Sequence, residues 1–466
     1  MAHKKTAYFL PALIIAIIAV MALILQKNGR EKDGIDRSEA GVNRPNIILL
    51  SIDTLRADRL RCYGYARDTS PSIDALAKES YLFTDVLSQY PTTPQSHASL
   101  LTSRYYSSLS AEMLRGRSFP VMAEMLKQAG YTTAAFVDGG YMKRQFGYGF
   151  DRGFDFYHDA GPPVQHGKQI EWNGVAHINE QVFRWLENNK KEPFFLLFHC
   201  YDVHCPYTPP EPYFSRYTGW YEGDLEVRGK CGTYFNQISL TNDDYRFLSD
   251  LYDGGIQYAD FELGRLFQKL KALKLYKPAL IIFCSDHGES LGEGGHVGHN
   301  RLKPHQLQVP LIMKIPGRSG GVVEAPVQLL DILPTVMAYL ALPEPEDLEG
   351  SNLLPLLPGG AGTDLKDRIR ISERDQFRWI EKSGQWALWC DLSQKDIRLY
   401  DLRRDPELKE NVAGKHLDVV QDLFEKFRET ESFRDGQFVL GAEETGESIQ
   451  MDSETRDQLK RLGYLE

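Results

Sequence analysis

Three short apolar runs in this chain end in acidic and histidine residues, and that pattern constrains the fold more than any other feature. Residues 46–52 (NIILLSI) run into Asp53. Residues 279–285 (ALIIFCS) run into Asp286 and His287. Residues 193–199 (PFFLLFH) lead to Asp202 and His204. Runs this short, rich in branched and aromatic residues and without polar alternation, suit strands buried on both faces. Residues 132–137 and 309–315 read as further strands. Helical patterns fall at 72–80, 119–129 (closed by Gly130), 177–188 and 253–273. Alternating strands and helices predict an α/β domain with a parallel-rich sheet sandwiched by helices. Ligand chemistry in such sheets gathers past the carboxyl ends of strands, and all three motifs sit there.

The chain has 466 residues, enough for one large domain and a smaller one. A formal net charge of -10 excludes a general nucleic-acid binder, which needs a basic face. It still permits an anionic substrate in a locally cationic pocket. The six cysteines form no CxxC pair and no zinc-finger spacing. Cys284, inside an apolar run, reads as a buried small hydrophobe, and one or two disulfides are open to an exported domain.

Residues 8–25 (YFLPALIIAIIAVMALIL) hold 18 residues without a charge, near the length that crosses a bilayer. The run is long for a signal peptide, and no small-x-small cleavage site follows. The expectation is an uncleaved anchor over 1–26 and a polar tether over 27–44. The main domain would then be membrane-held and extracytoplasmic. A cleaved signal is the alternative.

Four stretches carry candidate chemistry. Asp53, at a strand end, suits a hard cation, with Arg56 close behind it as a candidate for an anionic ligand. Asp286 and His287 open the glycine-rich loop SDHGESLGEGGHVGHN, which also holds His296 and His299. Glycines would weaken a packed element, whereas a loop approaching a ligand uses them. His204, beyond a strand and before a Pro turn, is placed for an oxyanion. Thr93-Pro94 opens the helix pattern TPQSHASLLT, where N–H groups and the helix dipole favour an anion and a deprotonated hydroxyl.

Together these stretches resemble the sulfatase family of the alkaline phosphatase superfamily, from Pro45 to about Ala413. SIDTLRADRLRCYGYARDTSPSIDALAKES is similar to that family's opening block, and TPQSHASLLT to its nucleophile block. FHCYDVHCPYTPP resembles its substrate-histidine block, and SDHGESLGEGG, followed by VPLIM, its second metal block. LLDILPTVMAYLALPEPEDLEGSNLLPLL and LYDLRRDPELKENVA resemble its later signatures.

The resemblance implies an alkaline-phosphatase-like fold and a metal-dependent ester hydrolase. It places one divalent ion on Asp53, Asp286, His287 and the oxygen of the nucleophile Thr93. His97 stands where many members have Arg. His204 and His299 would bind the oxyanion or protonate the leaving group, with Arg56 and His296 also in the substrate pocket. Thr54 replaces a second metal Asp. Calcium suits the carboxylates, while the imidazole leans toward manganese or zinc. Asp202, His204, His296 and His299 are an alternative second metal set.

Family sulfatases carry Cys or Ser in a C/S-x-P-x-R setting, oxidised to formylglycine. Here the positions read Thr93-Pro94-Gln95-Ser96-His97, so no formylglycine is expected. A sulfated Thr has no aldehyde to collapse to, whereas a phosphorylated Thr is open to in-line attack by water or an acceptor alcohol. Relatives with Thr here include phosphodiesterases and lipid phosphotransferases. The expectation is therefore a phosphorus-ester hydrolase or phosphotransferase acting on a glycan, lipid-headgroup or small-molecule ester. A sulfuric ester hydrolase using unmodified Thr93 is one alternative. A catalytically silent, membrane-tethered binding protein is another.

The catalytic domain is expected over 45–345. From about residue 346 to 466 the texture changes to Pro- and Gly-rich stretches, four short strand patterns and a helix at 417–430. This reads as a smaller α+β subdomain walling the site, with a charged tail or surface helix over 443–466.

Overall fold

The computed structural model describes residues 44–430, apart from 110–112, 116–118, 139, 160–173, 190–192, 361, 363–364, 366–367, 383 and 394–395. The tail helix expected over 443–466 lies outside the described residues.

Eight strands form the main sheet: β1 (Ile47–Ile52), β2 (Tyr81–Phe83), β3 (Thr132–Val137), β4 (Phe156–His158), β5 (Phe194–Cys200), β6 (Leu280–Ser285), β7 (Leu311–Lys314) and β8 (Gly321–Val323). Their order is β8-β2-β7-β6-β1-β5-β3-β4. Strands β6, β1, β5, β3 and β4 pair in parallel. Strand β7 runs against both β6 and β2, so the sheet is mixed.

Strand β1 explains why its run lacks polar alternation. Ile48, Leu50 and Ile52 join a core on one face, with Val175, Ile178 and Val182 of α4 (Gly174–Asn188) and Leu248, Leu251 and Ile256 of α5 (Asn242–Ala272). Ile47 and Leu49 join the opposite core. There they meet Ala98, Leu100 and Leu101 of α2 (Thr93–Thr102), Leu126 of α3 (Met122–Gln128), and Ile332 and Val336 of α6 (Ile332–Tyr339). Helix α1 (Pro71–Lys78) precedes β2. Both sheet faces are therefore covered, as the sequence predicts.

The C-terminal strands form a separate antiparallel sheet, β9 (Ile369–Arg374), β10 (Phe377–Lys382), β11 (Trp386–Asp391) and β12 (Asp396–Asp401), packed on α7 (Leu417–Arg428). Strand β9 backs the segment that leads into α2. Glu373 N donates to Gln89 O at 2.8 Å, and the Ser372 hydroxyl donates to Ser88 O. Arg370 donates to Asp85 and Glu381, each at 2.6 Å. Arg370 and Glu381 are 1% and 0% exposed, so truncating one strands the other's charge. Arg370→Ala is expected to destabilise the fold by about 3–5 kcal/mol. Urea unfolding checks this, and a loss below about 1 kcal/mol would mean the pair contributes no such coupling.

The anchor expected over 1–26 and residues 27–43 of the tether lie outside the described residues. No helix among the described residues is long and apolar enough to cross a membrane. The membrane-held, extracytoplasmic placement is therefore withdrawn. It rested on the apolarity of one run, and apolarity alone does not make a span.

Candidate active site

Four of the parallel strands deliver an Asp within two residues of their carboxyl ends, to one edge of the sheet. Asp53 follows β1, Asp286 follows β6, Asp202 follows β5 and Asp138 follows β3. Asp53 N donates across to Cys200 O at 2.9 Å, which ties two of these exits together.

Thr93 arrives from the other direction, at the first position of α2. Thr92 before it is extended (φ -149°), and Pro94 suits the first turn, where its missing N–H costs nothing. Every residue of α2 except Gln95 is buried, so the helix end is held as part of the core. Thr93 Oγ1 lies 3.1 Å from Asp53 Oδ2 and 3.4 Å from His287 Nε2. His287 Nε2 is 3.7 Å from Asp53 Oδ1 and 3.6 Å from Asp286 Oδ2.

Asp286 Oδ1 is occupied, accepting from His287 N at 3.0 Å and Thr54 N at 3.3 Å. Asp286 Oδ2 and Asp53 Oδ1 are buried without a hydrogen-bond donor. Burial pushes Asp53 up to about 7 and Asp286 up to about 6, the latter also through the charge of Asp53. Burial also drives His287 well below its ordinary value, so its ring is neutral. Asp53, Asp286 and His287 bring ligand atoms within 4.8 Å of one another. Two orphaned carboxylate oxygens and an imidazole lone pair fit a divalent cation.

Thr54, where the resemblance implies a second metal Asp, turns its hydroxyl back to Asp53 O at 2.8 Å. It holds a left-handed backbone (φ 56°), strained for a β-branched residue and worth about 1–3 kcal/mol. The strain is balanced by the Thr54 N–H bond to Asp286.

His97 lies behind the reacting groups. It is fully buried, with Nδ1 3.0 Å from Thr93 O and Nε2 3.1 Å from Ser51 Oγ. Burial, and then the neighbouring His199, lower it to about 4. This neutral ring braces the start of α2.

His204 stacks on Tyr201 at 4.1 Å, and its Nε2 meets the Tyr201 hydroxyl at 2.9 Å. His299 lies 4.6 Å from the His287 ring and 5.0 Å from the His204 ring. Burial works to lower His299, but the bonded Glu289 carboxylate at 3.1 Å outweighs it and the value rises. His296 bonds to the backbone of His299, and burial lowers it to about 4. Arg56, expected at the substrate, is 5% exposed and held by Asp58, Glu293 and the Glu289 carbonyl.

The alternative second metal set does not assemble. Asp202 Oδ2 accepts from Val175 N at 2.9 Å, beside Asp138, and joins no ligand group among the described residues. The loop glycines also answer to protein rather than ligand. A Cβ at Gly288 would lie 2.2 Å from His305 O, and one at Gly292 would lie 2.7 Å from the Tyr245 ring. Cys205 and Cys231 form a disulfide next to His204.

Sequence reasoning missed Glu289 and Ser51. It also missed Ser88 and Ser96, whose hydroxyls both donate to Asp286 O. Ser51 could have been found from the strand's alternation, since it points to the face that α2 covers.

A sulfatase family model matches residues 45–342. An uncharacterized sulfatase, YidJ, of Escherichia coli K12 is 25% identical, over 86% of this chain and 90% of its own length. Human iduronate 2-sulfatase is 26% identical, over 78% of this chain and 76% of its own. The phosphonate monoester hydrolase of Agrobacterium radiobacter superposes with a TM-score of 0.69 at 22% identity, over 82% of this chain and 95% of that one. With a family model over more than half its length and this arrangement of strand-end carboxylates, the chain belongs to the sulfatase family of ester hydrolases.

Proposed function

We propose that this chain cleaves phosphorus esters (phosphodiesters or phosphonate monoesters) or transfers their phosphoryl group, with Thr93 as nucleophile. The observation that carries this is Thr93 Oγ1, seated at a helix N-terminus and within 3.4 Å of both Asp53 and His287.

Thr93 Oγ attacks phosphorus, its proton passing to solvent through the site. The bond from phosphorus to the leaving oxygen breaks, and His299, or His204 beside it, gives that oxygen a proton. Water or an acceptor alcohol then attacks the Thr93 ester in line and restores the hydroxyl. Asp53, Asp286 and His287 would hold the divalent cation, whose charge lowers the hydroxyl's pKa and offsets that of the ester oxygens. The protein's own contribution is positioning and charge placement, as in phosphoryl transfer generally. His97 contributes by holding the Thr93 carbonyl and hence the helix end.

Phosphorus is favoured over sulfur because an unmodified Thr sulfate has no intramolecular exit. Superposition on a phosphonate monoester hydrolase is compatible with this, and similarity to iduronate 2-sulfatase keeps sulfate esters as the second reading. The test is turnover of matched aryl phosphate mono- and diesters, phosphonate monoesters and sulfates by the metal-loaded protein. Phosphorus esters are expected to exceed sulfates in kcat/KM by at least about 100-fold, roughly 2.7 kcal/mol. A sulfate preference would overturn the reading. A chain that binds no metal and turns over nothing would be a binding protein.

A further inference from the structure

The segment after β3 carries exposed rings on a backbone that is held fast. Tyr141 is 51% exposed and Phe146 43% exposed, with ring centres 5.0 Å apart. Tyr148, half-buried, lies 6.3 Å from Tyr141. We propose that Tyr141, Phe146 and Tyr148 form the subsite for the leaving group of the ester, and that this group presents a flat apolar face, either an aryl ring or the C–H face of a pyranose.

Position is the first observation. Residues 140–142 pack against α2, the helix that Thr93 opens, and Met142 is buried in the core that α2 shares. Beside Tyr148 stands Tyr106, whose hydroxyl bonds to Gln95, the residue of α2 that is not buried. In the other direction Tyr141 is an electrostatic neighbour of Tyr201, which stacks on His204 at 4.1 Å. The rings therefore run from the nucleophile's helix toward the proposed leaving-group acid, which is where a departing group must lie.

Rigidity is the second. Met142 O accepts from the Tyr157 hydroxyl at 2.8 Å. Arg144 donates to Asp159 from its backbone N at 2.9 Å and from its guanidinium at 3.1 and 2.8 Å. Gly149 holds a left-handed backbone (φ 84°), and a Cβ there would lie 2.7 Å from Arg115 N. Tyr148 also meets Phe150, which abuts the His97 ring edge-on at 6.4 Å. Two adjoining rings exposed on so fixed a frame add nothing to the fold. A ligand that covers them gains apolar burial without having to order the protein.

The chemistry follows from the side chains. Aromatic faces hold flat apolar surfaces by stacking. Phe146 has no polar atom, and Tyr141 and Tyr148 carry one hydroxyl each, so this surface selects for shape and apolar area. The inference rests on ester cleavage at Thr93, but not on the choice of phosphorus over sulfur.

The test compares phenylphosphonate monoesters of naphthol, of the primary hydroxyl of glucose and of trifluoroethanol, with the full metal-loaded chain. In Tyr141→Ala/Phe146→Ala, kcat/KM for the naphthyl or the glucosyl ester, taken relative to the trifluoroethyl ester, is expected to fall at least about tenfold, roughly 1.4 kcal/mol. A fall for naphthyl identifies an aryl group, and a fall for glucosyl a sugar. Phe261→Ala, which removes a 52% exposed ring of α5, should leave both ratios as they are. Both substituted rings are exposed, so circular dichroism should match the parent. Ratios within twofold of the parent for both esters overturn the proposal. Binding of naphthylmethylphosphonate against ethylphosphonate, inert analogues with carbon in place of the leaving oxygen, gives the same comparison by calorimetry without turnover. Equal affinity of parent and double variant for the naphthyl analogue would likewise overturn an aryl subsite. A chain that prefers sulfates would sink the phosphorus reading, while these ratios still decide the subsite.

Discussion

Thr93→Ala is expected to lower kcat/KM on phosphorus esters by at least about 10⁴-fold, equivalent to roughly 5.5 kcal/mol of transition-state stabilisation. The variant removes the only atom proposed to bond phosphorus. It removes little from the fold, because Thr93 Oγ1 makes one bond to Asp53 at 3.1 Å and one longer contact with His287. The melting temperature should therefore change by a few degrees at most. Thr93→Ser keeps the hydroxyl and should stay within about tenfold of the parent, the deficit reflecting a looser rotamer. An acid quench of the parent during turnover should leave one phosphoryl group on the peptide containing Thr93. If Thr93→Ala keeps a tenth of the activity, water attacks the ester directly and the covalent route is wrong.

Chelation is expected to abolish activity and to lower the melting temperature more at pH 8 than at pH 5. Asp53 and Asp286 have folded values near 7 and 6, raised by burial from 3.8. Between those limits the metal-free folded state holds more protons than the unfolded chain, so its stability falls as pH rises. At pH 5 both carboxyls are largely protonated and bind a cation poorly. At pH 8 both are ionised, so chelation leaves two adjacent buried charges bare. Saturating metal at about 1,000 times its Kd should add about 4 kcal/mol at pH 8. Thermal melts with and without chelator across this range decide it. Equal shifts at both pH values would mean that the two aspartates do not bind the ion.

The strands beneath the site were legible because β1, β5 and β6 are buried on both faces, and such strands announce themselves as unbroken apolar runs. The reversed direction of β7 was not, since hydrophobic pattern carries no sense of direction. Helix α5 begins at Asn242, well before the expected 253. Its first turn is polar, and the signal is the capping box between Thr241 and Asp244, which is easily read as loop. Asp53, Asp286 and His287 stood out by following strands. Glu289 did not, because an acidic residue among glycines reads as solvated. The close approaches of Gly288 to His305 and of Gly292 to Tyr245 pack that loop against the protein. Arg56 misled for the opposite reason: its cationic charge suggested substrate, but its partners Asp58 and Glu293 take it.

The contact of β9 with the segment before α2 sets when this enzyme can exist during its synthesis. All the residues proposed to react lie between Asp53 and His299, so a ribosome has made them long before it finishes. The stretch that aims Thr93 is nonetheless braced by Arg370, Ser372 and Glu373, which emerge later. A nascent chain cut before these residues would carry the full catalytic set with its nucleophile unsupported. Competence would then arrive late in translation, which spares the cell a half-built hydrolase.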